Sequence, residues 1–396
     1  MAEQKVAPNR WLLLAISMFA QIAGTVFVNG APFLIPYFHL VRGLSLVEAG
    51  TIAAAPLAGT MVSLVIWGFV VDRVGERTSM ASGLAIVTFA AVGAALADSL
   101  VGLGAWFFVG GVGAASANSA SGRVVVGWFP ANRRGTAMGI RQTALPLGVG
   151  VAALLVPNLV DARGLMTTLL VVAGICAVAT LLAVALIVDP PRPDRNEAAQ
   201  LGQLDNPYRR DDRLWRIHLA SALLVVPQFT VWTYMLVWLI DDKGWSTFAA
   251  SALVASTQLV GAAGRIGAGW WSDQVGSRLG PMRTVAVVAA ATMLTLGLLS
   301  GTPLAVALIV IATAVTVADN GLAFTAVAEI GGPYWSGRAM GLQNTGQYVA
   351  SALVPPVVGA LVAGRGYGFA FAAVALFPVL AVPLVPVRGE RRADSV

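Results

Sequence analysis

The sequence predicts an all-α integral membrane protein of twelve transmembrane helices, arranged as two pseudo-symmetric six-helix bundles. Three observations carry that expectation. Of the 396 residues, 57% are hydrophobic and only 11% charged, with a mean hydropathy of +0.78; a soluble domain carries about 25% charged residues. Apolar runs of about 20 residues recur, the length that spans a hydrocarbon core about 30 Å thick. Finally, the turn GFVVDRVGER, Gly68 to Arg77, returns as GWWSDQVGSR, Gly269 to Arg278. At a constant offset of 201, Gly68 maps onto Gly269, Asp72 onto Asp273, Gly75 onto Gly276 and Arg77 onto Arg278. A repeat of this length is a statement about architecture.

Taken in order, the apolar spans run roughly 11–38, 46–71, 78–97, 100–128, 135–160, 165–188, 214–240, 246–272, 281–300, 303–329, 337–362 and 367–387. The first follows a short polar start with no small-residue cleavage site, so it reads as a retained helix and not a signal peptide. Ser45 with Glu48 forms a capping-box pattern that opens the second. The sixth and seventh are separated by DPPRPDRNEAAQLGQLDNPYRRDDR, a charged, Pro-rich segment. This divides the chain into an N-terminal half (1–188), a linker (189–213) and a C-terminal half (214–396) with a short tail. Backbone polar groups in lipid must be satisfied within each segment, so the spans are helices. Their many glycines and alanines read as close helix–helix contacts.

The repeat reaches beyond the two turns. VRGLS, Val41 to Ser45, matches DKGWS, Asp242 to Ser246, at the offset of 201. RGTAMGIRQT, Arg134 to Thr143, matches SGRAMGLQNT, Ser336 to Thr345, at an offset of 202, and Asn118 falls on Asn320 at that same offset. Parallel six-span repeats of this kind belong to transporters with a site at the midplane between halves.

Charge sets the orientation. With the N-terminus inside, the inner ends and loops hold 18 Lys and Arg residues, including Lys5, Arg73, Arg133, Arg134, Arg278, Arg338, Arg391 and Arg392. The outer turns hold four, Arg42, Arg163, Lys243 and Arg365, so both termini are expected to be cytoplasmic. The net charge of +6 lies in short turns and not along one basic face, which argues against nucleic acid. Arginine outnumbers lysine 23 to 2, the mark of a GC-rich, bacterial coding bias. The single cysteine, Cys176, excludes an intrachain disulfide and a cysteine-based metal site. No phosphate loop, nucleophile elbow or zinc spacing occurs. An enzyme, a cofactor, a bound metal and an ATP-driven pump are therefore not expected.

The twelve spans, the central linker and the paired G-x-x-x-D-R-x-G-x-R turns resemble the major facilitator superfamily over essentially the whole chain. The resemblance implies that the turns gate the outward-facing state, with Asp72 and Arg73 holding the halves together on the cytoplasmic side. The second copy carries Gln274 in place of Arg73, which makes it the weaker gate.

Five ionisable residues lie within spans, where each costs on the order of 3 kcal/mol and needs a reason. Arg123, near the inner end of its span, can snorkel or pair with Asp72. Glu329, similarly placed, suits a pair with Arg278. Arg265 lies eight residues before Asp273, about 12 Å along the helix axis, too deep for easy snorkelling. Its spacing, R-I-G-A-G-W-W-S-D, resembles that of the oxalate–formate exchanger, the nitrate/nitrite porters and the monocarboxylate transporters, in which this arginine binds the anionic substrate. Leu64 stands where the nitrate porters carry a second arginine, which argues against nitrate. Arg141, whose repeat partner is Gln343, reads as a second anion contact or as an inner gate to Asp319 or Glu329. A guanidinium fork matches two carboxylate oxygens. Asp319 stands near the middle of its span. Burial without compensation favours the protonated form of a carboxylate, so it is the proton-coupling candidate, the alternative being a permanent pair with Arg265 or Arg141.

Gln142, Asn118, Asn320, Gln258, Gln343 and Gln347 complete the expected substrate set, with Gln21, Asn29 and Gln228 as further polar lining. Neither His39 nor His218 lies mid-span, so neither is expected to relay protons. The sequence thus points to a secondary transporter in the cell membrane, moving a small mono- or dicarboxylate by alternating access, as a functional monomer, with a proton or counter-anion as the coupling species. A drug/proton antiporter is the rival within the class. Against it stand Trp106, at the place of that group's buried arginine, and LPLGVG, Leu145 to Gly150, in place of its Gly-Pro form. A non-transporting membrane sensor is the rival from another class, but linker and tail are short for an output domain.

Overall fold

Some helix starts carry side-chain caps. In the computed structural model, which describes residues 9–388 and Glu390, α1 (Arg10–Gly30) begins at Asn9, whose side chain accepts from the Trp11 and Leu12 N–H groups at 3.0 and 3.4 Å. Lys5, Arg391, Arg392 and the outer ends of both expected halves lie outside the described residues. The capping box is present at α2 (Leu46–Val74): Glu48 N–H donates to Ser45 Oγ at 3.2 Å, and Ser45 N–H donates back to the Glu48 carboxylate at 2.9 Å. Such caps satisfy N–H groups that have no partner within the helix.

The chain continues through α3 (Glu76–Ala95), α4 (Leu100–Trp128), the short α5 (Arg134–Arg141) and α6 (Ala144–Leu186). A small linker helix, α7 (Arg195–Gln200), leads to α8 (Arg213–Asp241), α9 (Thr247–Val275) and α10 (Leu279–Leu298). Then come α11 (Leu304–Val315), α12 (Asp319–Val374) and α13 (Leu376–Leu384). Among the described residues the regular structure is entirely helical, and nine helical stretches are long and apolar enough to cross a membrane. Two of these, 131–186 and 304–384, span 56 and 81 residues, well beyond the roughly 20 needed for one crossing. They are broken at Gly164, Gly332 and Gly366, whose φ values of 78°, 65° and 82° a side chain would resist. Each break falls in a gap between two expected spans.

Several expected spans depart from the sequence reading: 11–38 leaves the α-helix after Gly30, 135–160 breaks between Arg141 and Ala144, and 367–387 breaks at Ala375. The stretch 303–329 is not continuous: α11 stops at Val315 and α12 starts at Asp319. Between them Ala318 N–H bonds to Val315 O and Asn320 N–H to Val317 O, tight three-residue turns that interrupt the α-helical ladder. Asp319 therefore stands at a helix start and not in mid-helix.

The chain divides into two compact units. One comprises the residues up to Phe129, Ala144–Asp205 and Gly331–Gly341; the other comprises Pro130–Thr143, Asn206–Ile330 and Leu342 onward. These boundaries differ from the division into sequence halves at 130–143, at 331–341 and in the linker. The reason is local, because each displaced segment is held by the aspartate turn of the unit it joins. Within the first unit α2 and α4 meet backbone to backbone: a Cβ at Gly111 would fall on Pro56 O, and one at Gly59 on Phe108 O. Phe27 packs edge-on against Phe107 in the same core, with ring centroids 5.7 Å apart. In the second unit Trp238 and Phe371 meet in the same way at 5.8 Å. Large apolar side chains such as Phe89, Leu154, Phe248 and Leu259 face outward, the distribution a lipid environment demands.

Candidate functional site

The two repeated turns build two carboxylate-centred networks. In the first unit Asp72, near the end of α2, is buried. It accepts from Gly337 N–H at 2.9 Å, from Arg338 N–H at 3.0 Å and from Arg338 Nε at 2.9 Å. Arg123 of α4 donates to it at 2.8 Å and reaches Glu76 at 2.6 Å. Arg192 of the linker closes the group, donating to Asp72 O at 2.8 Å and to the Glu76 carboxylate at 3.3 Å. Gly68 is required here because a Cβ would collide with the Gly337 carbonyl. Arg73 stays outside the network. It is exposed and lies over the Phe69 ring at 4.3 Å. Arg77 is exposed as well, but its N–H donates to Asp189 at 2.7 Å, just past Gly75 at φ 94°.

In the second unit Asp273 accepts from Gly135 N–H at 2.9 Å, Thr136 N–H at 2.7 Å and Thr136 Oγ1 at 2.7 Å. These N–H groups belong to the first turn of α5, the positive end of a helix, where a carboxylate is stabilised. Arg278 supplies the counter-charge at 2.6 Å and also donates to Ser272 Oγ at 2.7 Å and to Ala131 O. Glu329 lies 3.6 Å from Arg278 and 3.4 Å from Arg134. Gly269 meets Gly135 as Gly68 meets Gly337, and Gly276, at φ 64°, closes the turn.

The expected substrate residues fall into separate groups. Within the second unit Asn320 donates to Gln228 Oε1 at 2.9 Å and accepts from Gln347 at 3.2 Å, while Gln347 also donates to Ser221 at 2.7 Å. Arg141, buried at the end of α5, donates to Gln142 Oε1 at 2.8 Å and lies over Phe324 at 5.8 Å. Gln343 Oε1 accepts from His218 Nδ1–H, while its Nε2 has no partner among the described residues. Gln258 bonds within its own helix, to Val254 O at 3.4 Å. Asn118 belongs to the first unit, where it accepts from Gln21 at 2.9 Å.

Arg265 is the exception in this part of the molecule. It is 3% exposed, and among the described residues it makes no hydrogen bond and no ion pair. Its guanidinium lies over Trp232 at 5.8 Å, and its backbone carbonyl touches the α5 glycine Gly139. Asp319, 1% exposed at the start of α12, forms no ion pair with it within 4 Å, and among the described residues Asp319 Oδ2 has no hydrogen-bond partner. A guanidinium offers five N–H donors. A buried cation whose donors are unspent among the described residues is chemically suited to meet an anion.

Several participants escaped the sequence reading. His218 is buried and bridges Tyr208 OH, at 2.9 Å, to Gln343; its place near a span end disguised it. Glu76 is wholly buried between two arginines. Glu390 accepts from Arg278 N–H at 2.5 Å, Leu279 N–H at 3.0 Å and Ser277 Oγ at 2.6 Å. One signal was available: Asp189 and Glu390 stand at the repeat's own offset of 201, each bonding the start of the helix after its turn.

Comparison with known proteins bears on these networks. Residues 11–355 match the family described as Major Facilitator Superfamily. An uncharacterized MFS-type transporter of Mycobacterium tuberculosis is 46% identical over 381 residues, covering 96% of this chain and 85% of the relative. A probable sulfoacetate transporter of Cupriavidus necator is 24% identical over 361 residues, covering 84% and 82%. Among solved structures, a major facilitator transporter crystallised in the outward conformation aligns with a TM-score of 0.77 at 15% identity, covering 96% of this chain and 99% of that one, a likeness of fold alone.

Proposed function

We propose, because the chain belongs to the major facilitator superfamily and is a multi-pass membrane transporter and not an enzyme, that its cargo is a small organic anion carried by alternating access. Arg265 carries this reading. A buried cation in a membrane helix is costly unless an anion faces it, and among the described residues no carboxylate lies within ion-pair distance. Arg265 is assigned as the substrate-binding group, with Arg141 and Gln142 and the Asn320–Gln347 chain as supporting contacts. Asp319 is assigned to proton coupling, with anion exchange as the alternative drive. Similarity to a probable sulfoacetate transporter supports an anionic cargo. The three glycine breaks would divide the nine stretches into twelve crossings. The basic residues of the loops support a reading in which both termini are in the cytoplasm of a bacterial cell.

Binding of small carboxylates to the purified protein, followed by thermal shift, tests the assignment. Arg265→Lys keeps the charge but loses the fork, and affinity should fall by about 1.5–3 kcal/mol. Arg265→Gln should abolish binding while the protein still folds. Asp319→Asn should lose gradient-driven uptake yet retain counterflow exchange. Wild-type carboxylate affinity in Arg265→Gln would sink the proposal.

A further inference from the structure

Where the linker runs against the first turn, the first unit contains a cavity of about 780 Å³. Four arginines line it, Arg73, Arg192, Arg195 and Arg338, against the single carboxylate of Asp72. Arg192 is committed to Asp72 O, Val71 O and Glu76. Arg338 spends Nε on Asp72 and Nη2 on Tyr334 O, and lies over Trp335 at 3.7 Å from the ring centroid. Arg73 and Arg195 make no hydrogen bond or ion pair among the described residues. Among the described residues the cavity therefore holds two guanidinium groups that no carboxylate pairs with, beside a third held by Asp72 and Tyr334 O.

We propose that this cavity is a second anion site, distinct from that at Arg265, which binds a phosphate group through Arg73, Arg195 and Arg338. Planar guanidinium forks bind phosphate oxygens in pairs, and three cations suit a multiply charged tetrahedral anion better than a lone carboxylate. The volume leaves room for the group to which the phosphate is esterified. The three arginines come from three places: the end of α2, the linker helix α7 and segment 331–341. A phosphate shared by them cross-links the turn, the linker and the segment that Asp72 holds. Its occupancy therefore stabilises the arrangement in which Asp72 bonds Gly337 and Arg338, and makes the site regulatory. The same chemistry is offered by an anionic lipid headgroup and by free phosphate.

The test uses the full chain carrying Arg265→Gln, so that binding at the cargo site cannot contribute, in nanodiscs. One arm titrates inorganic phosphate in neutral phosphatidylcholine discs, against sodium chloride at matched ionic strength. The other replaces part of the phosphatidylcholine with phosphatidic acid. Melting temperature and labelling of single cysteines introduced into segment 331–341 are read in both. A rise in melting temperature with reduced labelling in the first arm identifies free phosphate as ligand; the same result confined to the second identifies the headgroup. In either case Arg195→Gln, an exposed substitution that leaves the Asp72 network intact, should raise the half-saturating amount about tenfold, the loss of one charge-assisted contact. No rise in either arm, or a rise that Arg195→Gln leaves unchanged, overturns the proposal.

Discussion

The two turns share a motif and differ in how they neutralise it. At the first, Asp72 is served from other elements, by Arg123 of α4 and by Arg338, while its own motif arginine, Arg77, faces solvent. At the second, the motif arginine itself turns inward, and Arg278 pairs with Asp273 at 2.6 Å. Thr325 stands at the repeat position of Arg123, so α12 offers no cation there. Identical letters thus do different work, because the counter-charge comes from whichever helix supplies one. A motif fixes the carboxylate and the glycine clearance. It does not fix the partner.

The largest test of this contrast is substitution at the shared arginine position. Arg278→Gln leaves Asp273 buried without its cation and should cost about 3 kcal/mol of stability, near the lower end for a broken buried pair, because Gly135 and Thr136 still bond the carboxylate. Arg77→Gln should stay within about 0.5 kcal/mol, as for an ordinary exposed site. Equal melting temperatures for the two variants would abolish the distinction.

A smaller effect is expected from the carboxylates. Asp72→Asn removes the charge from its bonds to Arg338 and Gly337 and should weaken the hold on segment 331–341 by about 1.5–3 kcal/mol. Increased cysteine labelling on that segment is the readout. Asp273→Asn should act in the same direction on residues 134–143. If the first turn is the stronger gate, as the resemblance implies, Asp72→Asn gives the greater change, and the reverse order would invert that ranking.

The smallest effect concerns the helix caps. Glu390→Ala removes three bonds at the start of α10 and should cost about 1 kcal/mol; Asp189→Ala, with its bond to Arg77 N–H, should cost less. Chemical denaturation of the two variants orders them.

Much of the fold was legible because hydropathy and the 201-residue offset report directly on lipid and on symmetry. The Ser45–Glu48 cap, the pairing of Arg123 with Asp72 and that of Glu329 with Arg278 were readable for the same reason, since each joins residues whose place along a helix fixes their depth. The interruption before Asp319 was not readable. Thr316, Val317 and Ala318 carry no proline or glycine, and the break is made by backbone hydrogen bonds that leave no compositional trace. His218 was missed because position along a span says nothing about rotation around it. Arg141 and Asp319 were open to a mutual pair on spacing alone, whereas Arg141 donates to Gln142 and, among the described residues, Asp319 Oδ2 has no hydrogen-bond partner.

The meeting of Gly68 with Gly337, and of Gly269 with Gly135, has a mechanical consequence. Faces made of bare backbone do not interlock, so parting them requires no side chain to leave a rotamer well or vacate a socket. Such a surface behaves as a smooth bearing, with the aspartate as a latch across it. Even a methyl group at Gly337 would strike Gly68 O and sit 2.6 Å from Asp72 Oδ1, jamming bearing and latch together.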